Sequence, residues 1–337
     1  MSTTAKPDVL AWLLDPADPG PRYLALRDLC RLAPDDPELL AARAAAHAAP
    51  PIAPTLDAMQ PDGYWERPGA GYNPKYRSTA WALTALSQVG ASAAADDRIG
   101  RAAAYLLDHA LAPGGQFSTN TKAAPSGTID CLQGNLIAAL FDLGVDDPRL
   151  DVALEWMART VTGEGMAAAD DKKAERRYYA YKSGPLFACG INANLPCGWG
   201  AAKVMLAFAR TPPARRTPLV DEAIRQGIEF LLGIDPATAA YPTHDGARPN
   251  RGWWKFGFPV FYMTDILQVV EALAALGYGA DPRLANARAL VLGKADEKGR
   301  WLLEYDYAGR MWAGVDFGAK KQPNKWVTLR ALRAITN

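Results

Sequence analysis

The segment Trp81-Ala82-Leu83-Thr84-Ala85-Leu86-Ser87-Gln88-Val89-Gly90 decides the fold, because it joins an apolar helical run to a terminal glycine. The same arrangement recurs in Ala139-Leu140-Phe141-Asp142-Leu143-Gly144 and in Ala272-Leu273-Ala274-Ala275-Leu276-Gly277. A glycine directly after an apolar helical run is typical of a helix C-terminus in the left-handed conformation. We therefore predict a repeated unit that begins with a short, largely apolar helix.

A second helix follows each of these glycines. The polar starts of these helices are Asp97-Arg98, Asp147-Pro148-Arg149 and Asp281-Pro282-Arg283. Aspartate is a good N-cap and proline suits the first helical turn. The first helix of each unit is apolar nearly all round and should be buried, whereas the second is amphipathic and suits an outer layer. Further copies at Arg22–Leu32, Cys197–Ala209 and Asn324–Ile335 bring the number of units to about six.

The loops between the units carry a second repeat, polar-x-x-Gly-x-Trp, at Gln60–Trp65 and Asp296–Trp301. Weaker versions occur at Gly114–Phe117 and Thr162–Met166. Glycine permits a tight turn there, and the large apolar residue can hold the loop against a helix.

Such Gly-x-aromatic loops between helix pairs resemble the repeats of the terpenoid cyclase and protein prenyltransferase superfamily, squalene–hopene cyclases among them. The resemblance covers roughly residues 20–337. It implies an all-α fold, an (α/α)6 toroid in which outer helices surround inner helices and a central cavity. A solenoid that does not close is the alternative.

The chain is expected to form one domain, residues 1–337, with an N-terminal lead-in over residues 1–20. Its 37 Lys+Arg and 36 Asp+Glu leave a net charge of +1, which is no electrostatic footprint for nucleic acid. No apolar stretch approaches the ~20 residues of a membrane-spanning helix, and the N-terminus lacks the apolar core of a secretory signal. We expect a cytoplasmic protein with reduced cysteines; the sequence indicates no oligomeric state.

The inner helices of such a ring run parallel, so their N-termini should meet at one rim. The residues at these starts are Ser78-Thr79, Asp130-Cys131, Cys197, Thr264-Asp265 and Asn324. Ordinary N-capping explains the serine, threonine and asparagine positions, but cysteine is a poor cap. Helix N-termini also favour thiolates and carboxylates. The candidate catalytic residues are therefore Asp265, Cys131, Cys197 and Asp130.

A zinc site is a second possibility at this rim. Cys131, Cys189 and Cys197 would supply three sulfur ligands, and His244 lies in the next equivalent loop. Three thiolates and one imidazole suit tetrahedral zinc, although the spacing matches no compact zinc motif. Two alternatives stay open, since the cysteines can be small buried hydrophobic residues or one of them can act as a nucleophile or acid.

Aromatic residues near the inner-helix starts are candidates for substrate binding. They are Tyr76, Trp81, Tyr181, Trp253, Trp254, Phe258 and Tyr262. Such rings can line an apolar cavity or stabilise a developing cation. Packing of long loops over the end of the ring explains them equally well.

The family's catalytic motifs are not present. The Asp-x-Asp-Asp run of the class II cyclases is missing, and Asp130 stands directly beside Cys131 instead of in the Asp-x-Cys spacing of the prenyltransferases. A nicotinamide enzyme is disfavoured, since no strand–Gly-x-Gly-x-x-Gly–helix unit occurs. Three functions remain: acid–base chemistry on an apolar small molecule (a cyclase, isomerase or dehydratase), a zinc-assisted hydrolase, and a non-catalytic helical scaffold.

Overall fold

The computed structural model describes residues 7–168, 170–174, 176–178, 183–246 and 249–336. In these ranges the chain is helical apart from its loops and one short antiparallel hairpin, Ala188–Cys189 (β1) with Leu195–Pro196 (β2). The α-helices are α1 Pro7–Leu13, α2 Pro19–Asp28, α3 Pro37–His47, α4 Ile52–Asp57, α5 Thr79–Gln88, α6 Asp97–Ala110, α7 Asp130–Asp142, α8 Arg149–Thr162, α9 Gly198–Arg210, α10 Pro218–Leu232, α11 Ile266–Leu273, α12 Ala285–Gly293 and α13 Lys325–Thr336. The all-α fold class is therefore confirmed. None of these helices is long and apolar enough to cross a membrane.

The inner layer of the described chain consists of α2, α5, α7, α9, α11 and α13. From α5 to α13, each inner helix packs against the next inner helix in chain order, and α13 packs against α2. Arg333 Nε lies 2.9 Å from Asp28 Oδ2 at the joint between the last and the first of them. On the other side of α2, a Cβ atom on Gly90 would lie 2.7 Å from Leu24. The inner helices thus close into a ring, and α3, α6, α8, α10 and α12 each pack outside the inner helix that precedes them.

The three repeat glycines do what the sequence predicts. Gly90, Gly144 and Gly277 have φ angles of +84°, +78° and +92°, which L side chains rarely adopt. Gly134 has a different role, since a Cβ atom there would lie 2.3 Å from a backbone atom of the facing helix α9. Only glycine lets α7 and α9 approach this closely.

The Gly-x-Trp loops are fastened to a helix on each side. The Trp65 backbone N–H donates to Thr79 Oγ1 at 3.2 Å, and its indole Nε1 donates to the Thr55 carbonyl at 2.7 Å. Trp301 repeats this arrangement with Thr328 Oγ1 at 3.0 Å and with a carbonyl of α12. Each tryptophan therefore joins the preceding outer helix to the next inner helix.

An aspartate stands at or just before the start of each of these second helices, and its position relative to the helix differs between them. Asp147 and Asp281 accept the expected N-terminal hydrogen bonds at 2.9 Å each. In α6 the cap is Asp96, which accepts from the Arg98 backbone N–H at 3.0 Å, and not Asp97. The predicted lead-in also differs, because residues 1–20 include α1, whose Val9 and Leu13 are buried in the core.

A segment of residues 256–262, here called the strap, runs across the interior of the ring. The Gln88 amide on α5 makes two hydrogen bonds to the Val260 backbone, at 2.7 and 2.8 Å. On another side of the ring, Arg330 Nη1 of α13 donates to the Gly257 carbonyl at 2.9 Å. Because two inner helices that are not adjacent in the ring hold its backbone, the strap fills space that the sequence analysis assigned to a cavity.

A polar cavity of about 360 Å3 remains beside the strap. Each inner helix contributes a polar side chain to its wall: Arg27, Gln88, Asp142, Arg210, Glu271 and Arg330. Arginine near helix C-termini is electrostatically favourable, because the helix dipole is negative there. The interior of the ring is thus polar at this cavity, which does not suit the apolar small molecule expected from the sequence.

Candidate functional site

Three residues that the sequence analysis singled out meet at the N-terminal ends of α7 and α9. A Cβ atom on Gly200 would lie 3.5 Å from Asp130 Cβ and 3.9 Å from Cys197 Cβ, so these two side chains flank the same point of α9. The Cys197 thiol is hydrogen-bonded with Cys189, the last residue of β1. The closure of the ring therefore brings Asp130, Cys189 and Cys197 together from distant parts of the sequence.

Asp130 is a buried carboxyl group whose hydrogen bonds are incomplete. Its side chain is 5% exposed, and Oδ1 has no hydrogen-bond partner. Two other buried hydroxyl groups lie near the carboxyl group: that of Ser183, whose interaction lowers the pKa of Asp130 against the larger effect of burial, and that of Tyr178. Burial raises the pKa of Asp130 well above its usual value, and it raises the pKa of Tyr178 to about 12. Burial therefore favours the protonated, neutral form of this carboxyl group.

Cys131 and Lys203 form a second pair, between α7 and α9. Burial raises the pKa of the half-buried Cys131 thiol to about 12, against the opposing effect of the nearby Lys203 ammonium. Lys203 is completely buried, and its Nζ has no hydrogen-bond partner. Burial lowers the pKa of Lys203 to about 7, so a large share of the amine is uncharged at neutral pH.

An apolar cavity of about 320 Å3 lies directly against the Cys189 and Cys197 thiols. Aromatic rings form much of its wall, contributed by Trp199, Tyr241 and Trp253. The indole Nε1 of Trp253 and the hydroxyl of Tyr241 each donate to a backbone carbonyl at 2.9 Å. These polar atoms are already paired, so the small part of each of these two buried rings that borders the cavity is apolar. The volume falls within the range of small-molecule sites.

The predicted aromatic residues do not all line this cavity. Trp253 does, whereas the Trp254 indole is used in a 2.9 Å hydrogen bond to the Ala237 carbonyl. Phe258, on the strap, lines the polar cavity and stacks on Trp326 with ring centroids 5.0 Å apart. Tyr181 lies outside the described residues.

The other predicted aromatic residues form a packed cluster before α5. Tyr76, Trp81 and Tyr262 are joined there by Tyr72, whose hydroxyl donates to the Tyr262 hydroxyl at 2.8 Å. The Lys75 ammonium lies 5.1 Å from the Tyr262 ring centroid. These rings pack against one another, which agrees with the alternative that they hold long loops over the end of the ring.

Asp265 is held in a buried ion pair. Its two carboxylate oxygens accept hydrogen bonds from Arg330 at 2.8 and 2.9 Å, and Oδ1 also accepts from the Gln268 backbone N–H at 2.8 Å. The side chain is fully buried. Both carboxylate oxygens are thus occupied by protein donors, which suits an anchor between α11 and α13.

The predicted zinc ligands do not form a metal site. Among the residues that the structure describes, no group of three or more His, Cys, Asp or Glu side chains is arranged to hold a metal ion. His244 is exposed, and its backbone N–H donates to Asn192 Oδ1 at 3.2 Å. The geometry thus offers no support for zinc held by Cys131, Cys189, Cys197 and His244.

The sequence analysis missed Lys203, Ser183 and Tyr178. Lys203 carried a usable signal, because it is the one charged residue among the first twelve of the inner helix Gly198–Arg210. Ser183 and Tyr178 belong to a long loop, and the sequence of this loop shows no periodic pattern that would place them near Asp130. Nothing in the sequence marked them.

No protein-family model matches the chain, and no curated protein matches it significantly in sequence. Among solved structures it is similar to the type II terpene cyclase MstE from Scytonema (apo), with 18% identity and a TM-score of 0.43 over 88% of this chain and 71% of that chain. A variant of MstE in complex with its substrate, geranylgeranyl dihydroxybenzoate, gives 16% identity and a TM-score of 0.44 over the same shares. A protein from Actinoplanes gives 18% and 0.45, over 88% of this chain and 74% of that chain. The fold is therefore defined here by the closed ring of helices in the structure.

Proposed function

We propose that the chain is an enzyme that acts on an apolar small molecule by acid–base chemistry, with Asp130 as the proton donor. The observation that carries this proposal is the buried Asp130 carboxyl group, one oxygen of which has no hydrogen-bond partner. Asp130 lies beside Cys197, a residue of the wall of the apolar cavity. A buried neutral acid of this kind is costly to the fold, and strongly perturbed groups beside a cavity are typical of catalytic sites.

Two opposing effects act on the Asp130 carboxyl group. The N-terminus of α7 favours its charged form by about 0.3–2 kcal/mol. Burial without a compensating partner costs the charged form several kcal/mol. Burial is the larger of the two effects on the pKa of Asp130, so the protonated form is favoured. Once the proton has left, the same helix N-terminus stabilises the carboxylate.

The cavity suits a substrate that carries a carbon–carbon double bond. Transfer of the Asp130 proton to one alkene carbon leaves a cation on the other carbon, and the aromatic rings of Trp199, Tyr241 and Trp253 are suited to stabilise that charge. Return of a proton from a neighbouring carbon to the carboxylate completes an isomerisation or a cyclisation without a further reactant. Because the Cys189 and Cys197 thiols lie between Asp130 and the cavity, a thiol relays the proton: it gives its own proton to the alkene and takes up the proton of Asp130.

The two other functions have less support. A zinc-assisted hydrolase needs a ligand set that the described residues do not form. A purely structural scaffold predicts scattered cysteines and polar groups that are fully paired, whereas three thiols, a neutral carboxyl group and an unpaired amine lie around the starts of α7 and α9.

The test is incubation of the full chain with geraniol, farnesol and geranylgeraniol in deuterated water, followed by mass spectrometry of the products. Wild-type protein should yield an isomerised or cyclised product that contains deuterium, and Asp130→Asn should reduce the rate about 10²–10⁴-fold, the usual contribution of a general acid. Asp97→Asn, an exposed aspartate in the first turn of α6, is the matched control and should leave the rate unchanged. Equal rates in wild type and Asp130→Asn would refute the assignment of the acid.

A further inference from the structure

The hairpin beside the apolar cavity carries two thiols on one face. The ladder pairs Ala188 with Pro196 and Cys189 with Leu195, and the Cys197 N–H donates to the Phe187 carbonyl at 3.0 Å. Cys197 is therefore opposite residue 187, diagonally across from Cys189. Since side chains alternate along a strand, the two thiols project from the same side.

The separation of this pair is close to what a disulfide requires. Diagonal neighbours in an antiparallel pair lie about 7–8 Å apart, with somewhat shorter Cβ distances, whereas disulfides span Cα distances up to about 7 Å. The two thiols are already in hydrogen-bonding contact. The strands are only two residues long each and are joined by a single 3-10 turn, Gly190–Asn192, so a small backbone shift meets little resistance.

Both thiols are also accessible. Cys189 and Cys197 are half-buried and line the apolar cavity, which is open to the outside. Cys30 is half-buried on another part of the ring, and Cys131 faces Lys203 between α7 and α9. All four cysteines are thiols in the structure.

We propose that Cys189 and Cys197 form a redox-active dithiol that low-molecular-weight disulfides oxidise to an intramolecular disulfide across the hairpin. One thiolate attacks a sulfur of the small disulfide and expels the first small thiolate. The second cysteine thiolate then attacks the protein sulfur of the mixed disulfide and expels the second. Two protein thiols and one small disulfide thus become one protein disulfide and two small thiols, and the two protons pass to the leaving thiolates.

The bridge changes the wall of the apolar cavity. It draws the two sulfurs from hydrogen-bonding contact to about 2.05 Å and removes both thiol protons beside Asp130. High thiol pKa values slow such exchange at neutral pH, because the thiolate is the attacking species. The hydrogen bond with Cys189 and burial both raise the pKa of Cys197, so the rate of oxidation should increase with increasing pH.

The experiment uses the native full chain, incubated with glutathione disulfide at pH 8.5, then denatured, alkylated with iodoacetamide and analysed by intact mass and peptide mapping. The expected result is a protein with two alkylated cysteines, Cys30 and Cys131, and a bridge between Cys189 and Cys197. Incubation with dithiothreitol should restore four alkylated cysteines. Four alkylated cysteines without the reductant, or a bridge that includes Cys30 or Cys131, would overturn the proposal.

Three variants sharpen this result. Cys189→Ser and Cys197→Ser should each stop at a mixed disulfide with glutathione on the remaining partner, because no second thiol is there to resolve it. Cys30→Ser, the matched control, should form the bridge at the wild-type rate. If both cavity variants still formed an internal disulfide, the pairing would be wrong. Because the readout is a mass, it does not depend on the proposed acid–base activity.

Discussion

Lys203→Met should make the stability of the protein less dependent on pH. Lys203 Nζ is fully buried without a hydrogen-bond partner, and the ionisable groups around it come from three neighbouring helices: Cys131 of α7, Asp265 and Glu271 at α11, and Arg330 of α13. Burial, which outweighs these neighbours, lowers the pKa of Lys203 from 10.5 to about 7 in the folded protein. In the unfolded chain the amine regains its ordinary pKa. Methionine removes the titrating group and keeps a similar volume.

The sign and the size of the effect follow from proton linkage. Between pH 7 and pH 10.5 the unfolded chain binds more protons at this lysine than the folded chain, so stability rises with pH through this window. A shift from 10.5 to about 7 corresponds to a cost of about 5 kcal/mol below pH 7, at ~1.4 kcal/mol per unit. Of this cost, about 2 kcal/mol disappears between pH 7 and pH 9.

The assay is urea unfolding of wild type, Lys203→Met and Lys298→Met at pH 7 and pH 9, with the free energy of unfolding extrapolated to water. Subtraction at each pH cancels the groups that the proteins share. The stability advantage of Lys203→Met over wild type should shrink by about 2 kcal/mol from pH 7 to pH 9. The exposed Lys298→Met should track wild type at both values. An advantage of Lys203→Met that does not change with pH would refute the argument from burial.

Three further substitutions test the packing of the ring. Asp265→Asn removes the nearer of the two carboxylates that pair with the buried Arg330 guanidinium, leaving Glu271 at 3.9 Å, and should lower stability by about 3 kcal/mol, measured by chemical unfolding. Gly134→Ala places a methyl group against the backbone of α9 and should cost about 1–3 kcal/mol or more, visible as a lower Tm. Thr328→Val removes the acceptor for the buried Trp301 backbone N–H and should cost about 1–3 kcal/mol in the same unfolding assay.

Matched controls separate these causes from general effects of substitution. Gly100→Ala adds a methyl group to α6, where no atom lies within 4 Å, and should stabilise the protein by about 0.4–1 kcal/mol. Asp97→Asn removes an exposed carboxylate with a 3.6 Å ion pair and should change stability by less than about 1 kcal/mol. If Gly134→Ala were as stabilising as Gly100→Ala, the close approach of α7 and α9 would be contradicted.

Much of the fold could be predicted from the residue types that favour helix ends. The left-handed glycines Gly90, Gly144 and Gly277 mark inner-helix ends in the sequence because few other residues adopt their backbone angles. The convergence of Asp130 and Cys197 followed from one geometric statement, that inner helices run parallel. Both inferences require only the residues at the ends of each helix and the place of that helix in the repeated unit.

The remainder depends on contacts that no local pattern encodes. The strap crosses the ring because Gln88 and Arg330, far away in the chain, bind its backbone, and this choice is made only in the closed ring. The ion pair between Asp265 and Arg330 is of the same kind, since a residue at a helix start looks like a cap until its partner is known. The sequence therefore indicated Asp130 and Asp265 alike as residues at helix starts, and only the structure distinguishes the ion-paired Asp265 from Asp130, whose Oδ1 has no hydrogen-bond partner.

The central claim is that Asp130 carries a proton at neutral pH, and the most direct measurement is a difference infrared spectrum of wild type against Asp130→Asn at pH 7. Circular dichroism first establishes that the two proteins have the same helix content. The account predicts a carboxylic acid C=O band in wild type that is lost in Asp130→Asn. A difference spectrum that contains only carboxylate bands would mean that Asp130 is ionised, and the proposed proton donor would be contradicted.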